Sequence, residues 1–260
     1  MNIPAITGII RRRLLLNYRV SPEVIRSIIP SIFSPKLVNG YSIAGICLIR
    51  LEQIRPKGFP RTISISSENS AHRIAVEWTD KDGLRKEGVF VPRRDTDSRL
   101  NSIAGGRLFP GVHHLSRFIV DDRDSNISVK VQTEDKDVPL VDLGVHRSTD
   151  FPRDSVFSSL TESSTFFESG CIGYSSRPDS CKLDGLLLKV QEWKVSALTV
   201  DFVRSAFFDD TSTFPHGSIE FDHALLMRDI SHEWHSEPEM TSEKETANQA
   251  CHTTPASAPR

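Results

Sequence analysis

Five arginines, Arg93, Arg94, Arg99, Arg107 and Arg117, fall within one stretch of the chain, with Asp95 and Asp97 between them. A guanidinium is a planar, permanently charged fork that matches a carboxylate or phosphate through two parallel hydrogen bonds. The stretch can therefore serve a pocket for a small organic acid, with Arg93 and Arg107 as candidate ligand-binding residues. The competing reading is ion pairing with Asp95, Asp97 or Glu68 at a turn. Upstream, Glu68 and His72 are four residues apart, with Glu77 further along. On an extended strand an even separation places two side chains on one face. A glutamate beside a histidine can act as general acid and base if burial moves both toward neutrality. The alternative is that Glu68 and Asn69 satisfy backbone groups in a loop.

His113 and His114 are adjacent, so on a strand they point to opposite faces, and one metal ion does not take both. His114 joins Glu68 and His72 in the candidate catalytic set. His232-Glu233-Trp234-His235 has the i, i+3 spacing of a helical chelate but not the H-E-x-x-H pattern of zinc peptidases. Four cysteines, Cys47, Cys171, Cys181 and Cys251, form no C-x-x-C pair. Phosphate-binding loops, dinucleotide fingerprints and the G-x-S-x-G elbow are missing from the sequence. No metal and no cofactor is expected.

These residues must be positioned by strands. Ile74, Val76 and Trp78 alternate with Arg73, Ala75 and Glu77; Ile127, Val129 and Val131 with Ser128 and Lys130; Leu198, Val200 and Phe202 with Thr199 and Asp201. Lys81-Asp82-Gly83 marks a hairpin between Trp78 and a strand around Val89. Helices are expected in two places. Ser21-Pro22-Glu23 starts one, with an apolar stripe of Val24, Ile25, Ile28 and Ile29 before Pro30. The other spans Ser155 to Glu168, ending near Gly170. Many strands and few helices predict a mainly β fold, an antiparallel barrel or sandwich.

The chain has 260 residues, 38% apolar and 25% charged, with a formal net charge of −2. Such a charge offers nothing to attract nucleic acid or an anionic membrane. No apolar run approaches the roughly 20 residues of a membrane span. Leu14–Leu16 is too short for the apolar core of a signal peptide, so a cytoplasmic location is expected. Residues 236–260 carry no aromatic side chain and many Ser, Thr, Glu and Pro, which predicts a disordered tail behind one domain of residues 1–235.

Three segments carry a likeness: Arg55-Pro56-Lys57-Gly58-Phe59-Pro60, Ser67-Glu68-Asn69-Ser70-Ala71-His72-Arg73, and Gly105-Gly106-Arg107-Leu108-Phe109-Pro110-Gly111-Val112-His113-His114. With Asn17-Tyr18 before them and Phe166-Phe167 and Gly173-Tyr174-Ser175 after them, the chain resembles the YqjF-like family, domain of unknown function 2071, over roughly residues 10 to 235. That family is grouped with acetoacetate decarboxylase. The resemblance implies an acetoacetate-decarboxylase-like β barrel with a central pocket, and a small organic acid or oxo acid as partner. Fold alone does not fix function. The decarboxylase forms a Schiff base on a lysine whose pKa a second cationic lysine lowers, and those lysines follow a Gly-Arg and a Phe-Pro. Here Gly106-Arg107-Leu108-Phe109-Pro110 is followed by Gly111 and Val112, which carry no amine, and no two lysines are adjacent anywhere. Lys130 is the substitute nucleophile to consider, with a solvated lysine as the plainer reading. Two functions stay open: a lyase or hydrolase working by acid–base catalysis without an imine, and a module that binds or sequesters its ligand.

Overall fold

A computed structural model describes residues 5–99, 111–123, 125–134, 138–177 and 181–242. In chain order the elements are β1 (Ile6–Val20), α1 (Pro22–Ile28), β2 (Ser34–Pro35), β3 (Leu37–Val38), β4 (Tyr41–Pro56), a 3-10 turn (Arg61–Ile63), β5 (Ile65–Thr79), β6 (Arg85–Thr96), β7 (His113–Arg123), β8 (Asn126–Thr133), β9 (Pro139–Arg147), α2 (Leu160–Ser169), β10 (Ile172–Ser176), β11 (Lys182–Val190), β12 (Ser196–Ser205) and β13 (Ile219–Thr241). The chain is mainly β, and its strands form one ring-like sheet.

The pairings close two circuits that share β13, β1, β4, β5 and β6. The first returns from β6 through β10 and β11 to β13, and the second returns from β6 through β7, β8, β9 and β12 to β13. Two shared strands therefore fork. β6 pairs β10 at Val89 and Phe90 but β7 at Arg94–Thr96, both in parallel. Between these stretches its register against β5 slips, at Val91-Pro92. Proline has no N–H to give the ladder, so a bulge is where a strand tolerates it. β13 pairs β12 at Ala224–Leu226 and β11 from His232 onward. It turns between them at Asp229, which has φ +58, and β4 carries a second left-handed residue, Gln53, where its register against β1 slips between Thr7 and Ile9.

Because the shared strands belong to both circuits, each presents alternate side chains to two interiors. Leu14, Leu16, Ile46, Leu48, Ile74 and Val76 face the second circuit, where they meet Ile127, Val129, Val131, Leu143, Val145 and Leu198 in a filled core. Phe207, Phe208 and Phe214 stack edge-on in that core, ring centres 5.1–5.6 Å apart. The intervening residues Leu15, Cys47, Ile49 and Ala75 face the first circuit with Leu225, Met227 and Phe167. The interior of the first circuit is incompletely filled.

The hairpin forms where expected, with Gly83 at φ +77 and its N–H bonded to the Asp80 carbonyl. α1 also begins at Pro22 and buries Ile25 and Ile29, although Ser21 caps with its carbonyl and not its side chain. Three expectations need correction. α2 starts at Leu160, not Ser155: Ser159 Oγ accepts from the Glu162 N–H, while Ser155 Oγ and the Val156 N–H are drawn to the Asp222 carboxylate at 2.6 and 2.9 Å. Phe202 leaves the buried face of β12, because the register slips between Val200 and Phe202 and the ring lies exposed over Gly144. The tail does not begin at Ser236. β13 continues to Thr241, pairing Ser236 with Leu186 and Met240 with Leu183. A polar segment needs no core of its own when a neighbouring strand supplies its hydrogen bonds, and Arg177 and Lys182 pair with Glu239 on its outer side. Residues 243–260 lie outside the described residues.

Candidate functional site

A cavity of about 140 Å³ opens inside the first circuit, and every strand of that circuit contributes to its wall. Arg13, Ala71, Gly173, Leu186 and Trp234 are among those contributions, and Phe167 reaches in from α2. A cavity of roughly 150 Å³ admits a guest of benzene's size, so about six heavy atoms fit.

Arg13, Arg73 and Arg94 line it, and among the described residues none of the three is paired with a carboxylate. Each arrives by strand alternation. Arg13 Nε donates to Cys47 Sγ at 3.3 Å, and its guanidinium lies 5.7 Å from the Trp193 ring centre. Arg73 is 5% exposed; it donates to Asn17 Oδ1, stands 4.5 Å from the Phe167 ring centre, and leaves its buried Nε without a hydrogen-bond acceptor. Arg94 Nε donates to Ser175 Oγ at 3.2 Å. Burial pushes the pKa of Arg73 and of Arg94 down to about 10, which still leaves both cationic at neutral pH. Cationic groups withdrawn from water without a counter-ion cost several kcal/mol each. An anion of the right size offsets that cost.

Asp95 also borders the cavity, but its carboxylate is used on the other face of β6: Arg93 donates to both oxygens, at 3.0 and 2.8 Å, and Ser116 Oγ donates at 3.0 Å. His113 lines the wall, and burial lowers its pKa to about 4, so the imidazole is neutral at pH 7. The backbone bringing it there passes close to β10. Gly111 sits at φ +84, and a Cβ on it would lie 2.7 Å from that of Ser175.

Behind Arg73 runs a buried chain of hydrogen bonds. Asn17 accepts from Arg73 and directs Nδ2 at His223 Nε2, 3.0 Å away; Ser163 Oγ donates to the same nitrogen at 2.7 Å. With Nε2 accepting, His223 Nδ1 carries the proton and donates to Asp222 Oδ1 at 2.5 Å. Burial raises the Asp222 pKa, but the bonds from His223, Ser155 and Val156 outweigh it and hold the carboxyl below its usual range. The order serine–histidine–aspartate evokes a nucleophilic triad, yet Ser163 is wholly buried. The chain acts as a brace that fixes Arg73 against β1, β13 and α2.

The residues singled out from sequence are divided between the two faces. Glu68 and His72 do share a face, but it is the packed one. Glu68 is bound by Arg12 at 2.7 Å, and burial raises its pKa against the pull of that arginine. His72 bonds Ser205 Oγ at 3.1 Å and packs on Phe207 and Phe208, and burial lowers its pKa to about 4. No hydrogen bond joins Glu68 and His72, and neither lines the cavity. Arg93 is held by Asp95 on the far side of β6 from Arg94. His114 is exposed beside a shallow surface hollow, while its neighbour His113 faces inward. Arg107 lies outside the described residues. Lys130 sits between Ile119 and Asp142 in the sheet, away from the cavity. His232 and His235 are strand residues; His232 is buried on Trp234 and His235 bonds Glu233, so the helical chelate does not form. Among the described residues no three His, Cys, Asp or Glu side chains are grouped to hold a metal.

Arg13 and Arg73 did not stand out in the sequence, because each shares its strand face with other polar residues, Arg13 with Arg11 and Asn17 and Arg73 with Asn69 and Glu77. Arg94 needed the fork of β6 to separate it from Arg93.

Residues 9–174 match the model of domain of unknown function 2071, described as an uncharacterized conserved protein. The chain belongs to that family. No curated protein is similar enough to match. Among solved structures, this DUF2071 protein is similar to acetoacetate decarboxylase from Legionella pneumophila subsp. pneumophila str. Philadelphia 1, at 12% identity and a TM-score of 0.60, over 92% of this chain and 88% of that one. An acetoacetate decarboxylase-like enzyme from Sphingomonas wittichii RW1 is similar at 11% identity and a TM-score of 0.60, over 93% and 95%. The enduracididine biosynthesis enzyme MppR, complexed with pyruvate, is similar at 9% identity and a TM-score of 0.57, over 94% and 91%. At these identities the likeness is one of fold. The DUF2071 protein has the acetoacetate-decarboxylase-like fold, and among its described residues no lysine lines the cavity. Lys36, beside a small adjoining hollow, is held by Glu87 at 2.7 Å.

Proposed function

We propose that the cavity binds a small carboxylate, of about six heavy atoms, between Arg13, Arg73 and Arg94. The observation that carries this reading is the set of cationic side chains around one hole with no carboxylate partner among the described residues. The apolar remainder of the wall, with Leu186, Leu188 and Trp234, suits a short carbon skeleton. That the similarly folded MppR is seen with pyruvate supports a 2-oxo acid as the first compound to try. An imine to the ligand is not part of the reading, since no described lysine faces it. Binding is favoured over acid–base catalysis by Glu68, because Arg12 occupies that carboxylate on the other face of the sheet.

The test is a thermal-shift series of short carboxylic acids beside their uncharged amides. A ligand selective for the native state raises the melting temperature, by about 2.7 kcal/mol of stability at a hundredfold excess over Kd. Acids should stabilise the protein and amides should not. Equal shifts from acid and amide, or none from any acid up to millimolar concentration, would overturn the reading.

A further inference from the structure

The cavity also holds a thiol that binding alone does not require. Cys47 lies on β4, is 7% exposed, and faces the same space as Arg13, Arg73 and Arg94. Its sulfur accepts the Arg13 Nε–H at 3.3 Å, and Arg73 and Arg94 line the same space. The second cysteine of the wall differs. Cys171 gives its S–H to the Glu168 carbonyl at 2.7 Å. An independent sign that the space beside Cys47 is made for an anion is Arg73, more than nine-tenths buried, with an Nε that has no acceptor.

Resting on the carboxylate-binding reading, we propose that Cys47 is a nucleophile that adds reversibly to the carbonyl of a 2-oxo acid held by these arginines. Thiols act as nucleophiles through their thiolate form, and reactive ones sit among cationic groups with some access to solvent. The arginines take the carboxylate, which places the adjoining carbonyl carbon one bond further along. Sγ forms a bond to that carbon while the carbonyl π pair moves onto oxygen. The thiol proton ends on this oxygen, giving a hemithioketal. No bond other than S–H and the carbonyl π bond is broken, no group leaves, and nothing is oxidised or reduced.

The test uses the whole chain and two alkylating reagents, iodoacetate and its uncharged counterpart iodoacetamide, with peptide mapping by mass spectrometry. Each forms a C–S bond and expels iodide, so they differ mainly in charge. Steering by fixed cationic side chains raises association by 10-fold or more. Cys47 should react at least 10-fold faster with iodoacetate, and propionate should slow that reaction. A 2-oxo acid labelled with carbon-13 at its keto carbon should show a new tetrahedral signal with the native chain and lose it with Cys47→Ser. Equal rates for the two reagents, faster labelling at Cys171, or a tetrahedral signal that survives Cys47→Ser would each overturn the proposal. The two layers separate through propionate, which has no electrophilic carbon. If it raises the melting temperature while Cys47 shows no preference for iodoacetate, the nucleophile is wrong and the carboxylate site stands. If it causes no shift and the preference is absent as well, the carboxylate site has failed and Cys47 falls with it.

Discussion

Arg12 and Arg13 are neighbours on one strand and live in opposite circumstances. Arg12 is 2% exposed in the filled circuit, where Glu68 and Asp122 take its charge at 2.7 and 3.2 Å. Arg13 faces the cavity with a thiol and an indole for company. The same contrast separates Arg93, neutralised by Asp95, from Arg94, bonded to a serine, and His72, wedged among phenylalanines, from Arg73. One face of the shared strands is finished: its charges are paired and its volume is filled. On the other face cationic groups and space are left over together. Arginines with and without a counter-ion are thus told apart by what is missing beside them, and burial alone does not separate them.

The contrast breaks most visibly at Arg12. Arg12→Ala leaves the buried Glu68 without its bonded cation while Asp122 keeps Arg228, so unfolding in urea should show a loss of about 3–5 kcal/mol. A loss below 1 kcal/mol would mean that the finished face does not depend on this pair.

The second effect is on pH dependence. His72 is held neutral by burial, with its pKa down at about 4 against an ordinary 6.5. Below pH 6.5 the unfolded chain takes up a proton that the folded chain refuses, so stability falls as pH drops from 6.5 toward 4. For this one residue the loss by pH 4.5 is of order 2–3 kcal/mol. His72→Gln keeps a partner for Ser205 and does not titrate; its stability should decline correspondingly less between pH 7 and pH 4.5. An identical decline in both proteins would show that His72 is already charged in the fold. His113 and His232, also held near 4, add acid sensitivity of the same sign that this variant retains.

On the unfinished face the expected readout is affinity. Arg73→Met removes a buried charge that has no counter-ion, so stability should move by no more than about 2 kcal/mol. Carboxylate binding, followed by calorimetry, should weaken roughly 10- to 100-fold, the worth of a hydrogen bond to a charged group. A large loss of stability with unchanged affinity would reverse the assignment and make Arg73 structural. The smallest effect is expected at the end of β13. Glu239→Gln removes an exposed partner of Arg177 and Lys182, and the unfolding midpoint should not move measurably. A clear drop would show that ion pairs, and not the ladder with β11, hold residues 236–241.

Period-two alternation in the sequence located the strands around Ile74, Ile127 and Leu198, and Asp80 to Gly83 turns where the glycine indicated. The family text around Ser67–Arg73 led to the acetoacetate-decarboxylase-like fold and to the expectation of a pocket. It did not reveal that Glu68 and His72 lie on the face of β5 turned away from the cavity. Alternation states which residues share a face without stating what that face meets. The sequence contains nothing local to say that β6 and β13 fork, or that both faces of the strands between them are interior. The start of α2 was hidden for a similar reason: Asp222, more than sixty positions away, holds Ser155 and Val156 out of the helix.

By itself, then, the sequence determined which residues are neighbours along a strand, which of them face together, and that arginine and thiol chemistry is available while paired lysines are not. These follow from covalent order and the geometry of an extended chain. Only the tertiary structure decided that one of two interiors is filled and the other hollow. Counter-ions and packing partners come from strands distant in sequence, and the pairing that brings them into reach is settled when the sheet closes on itself.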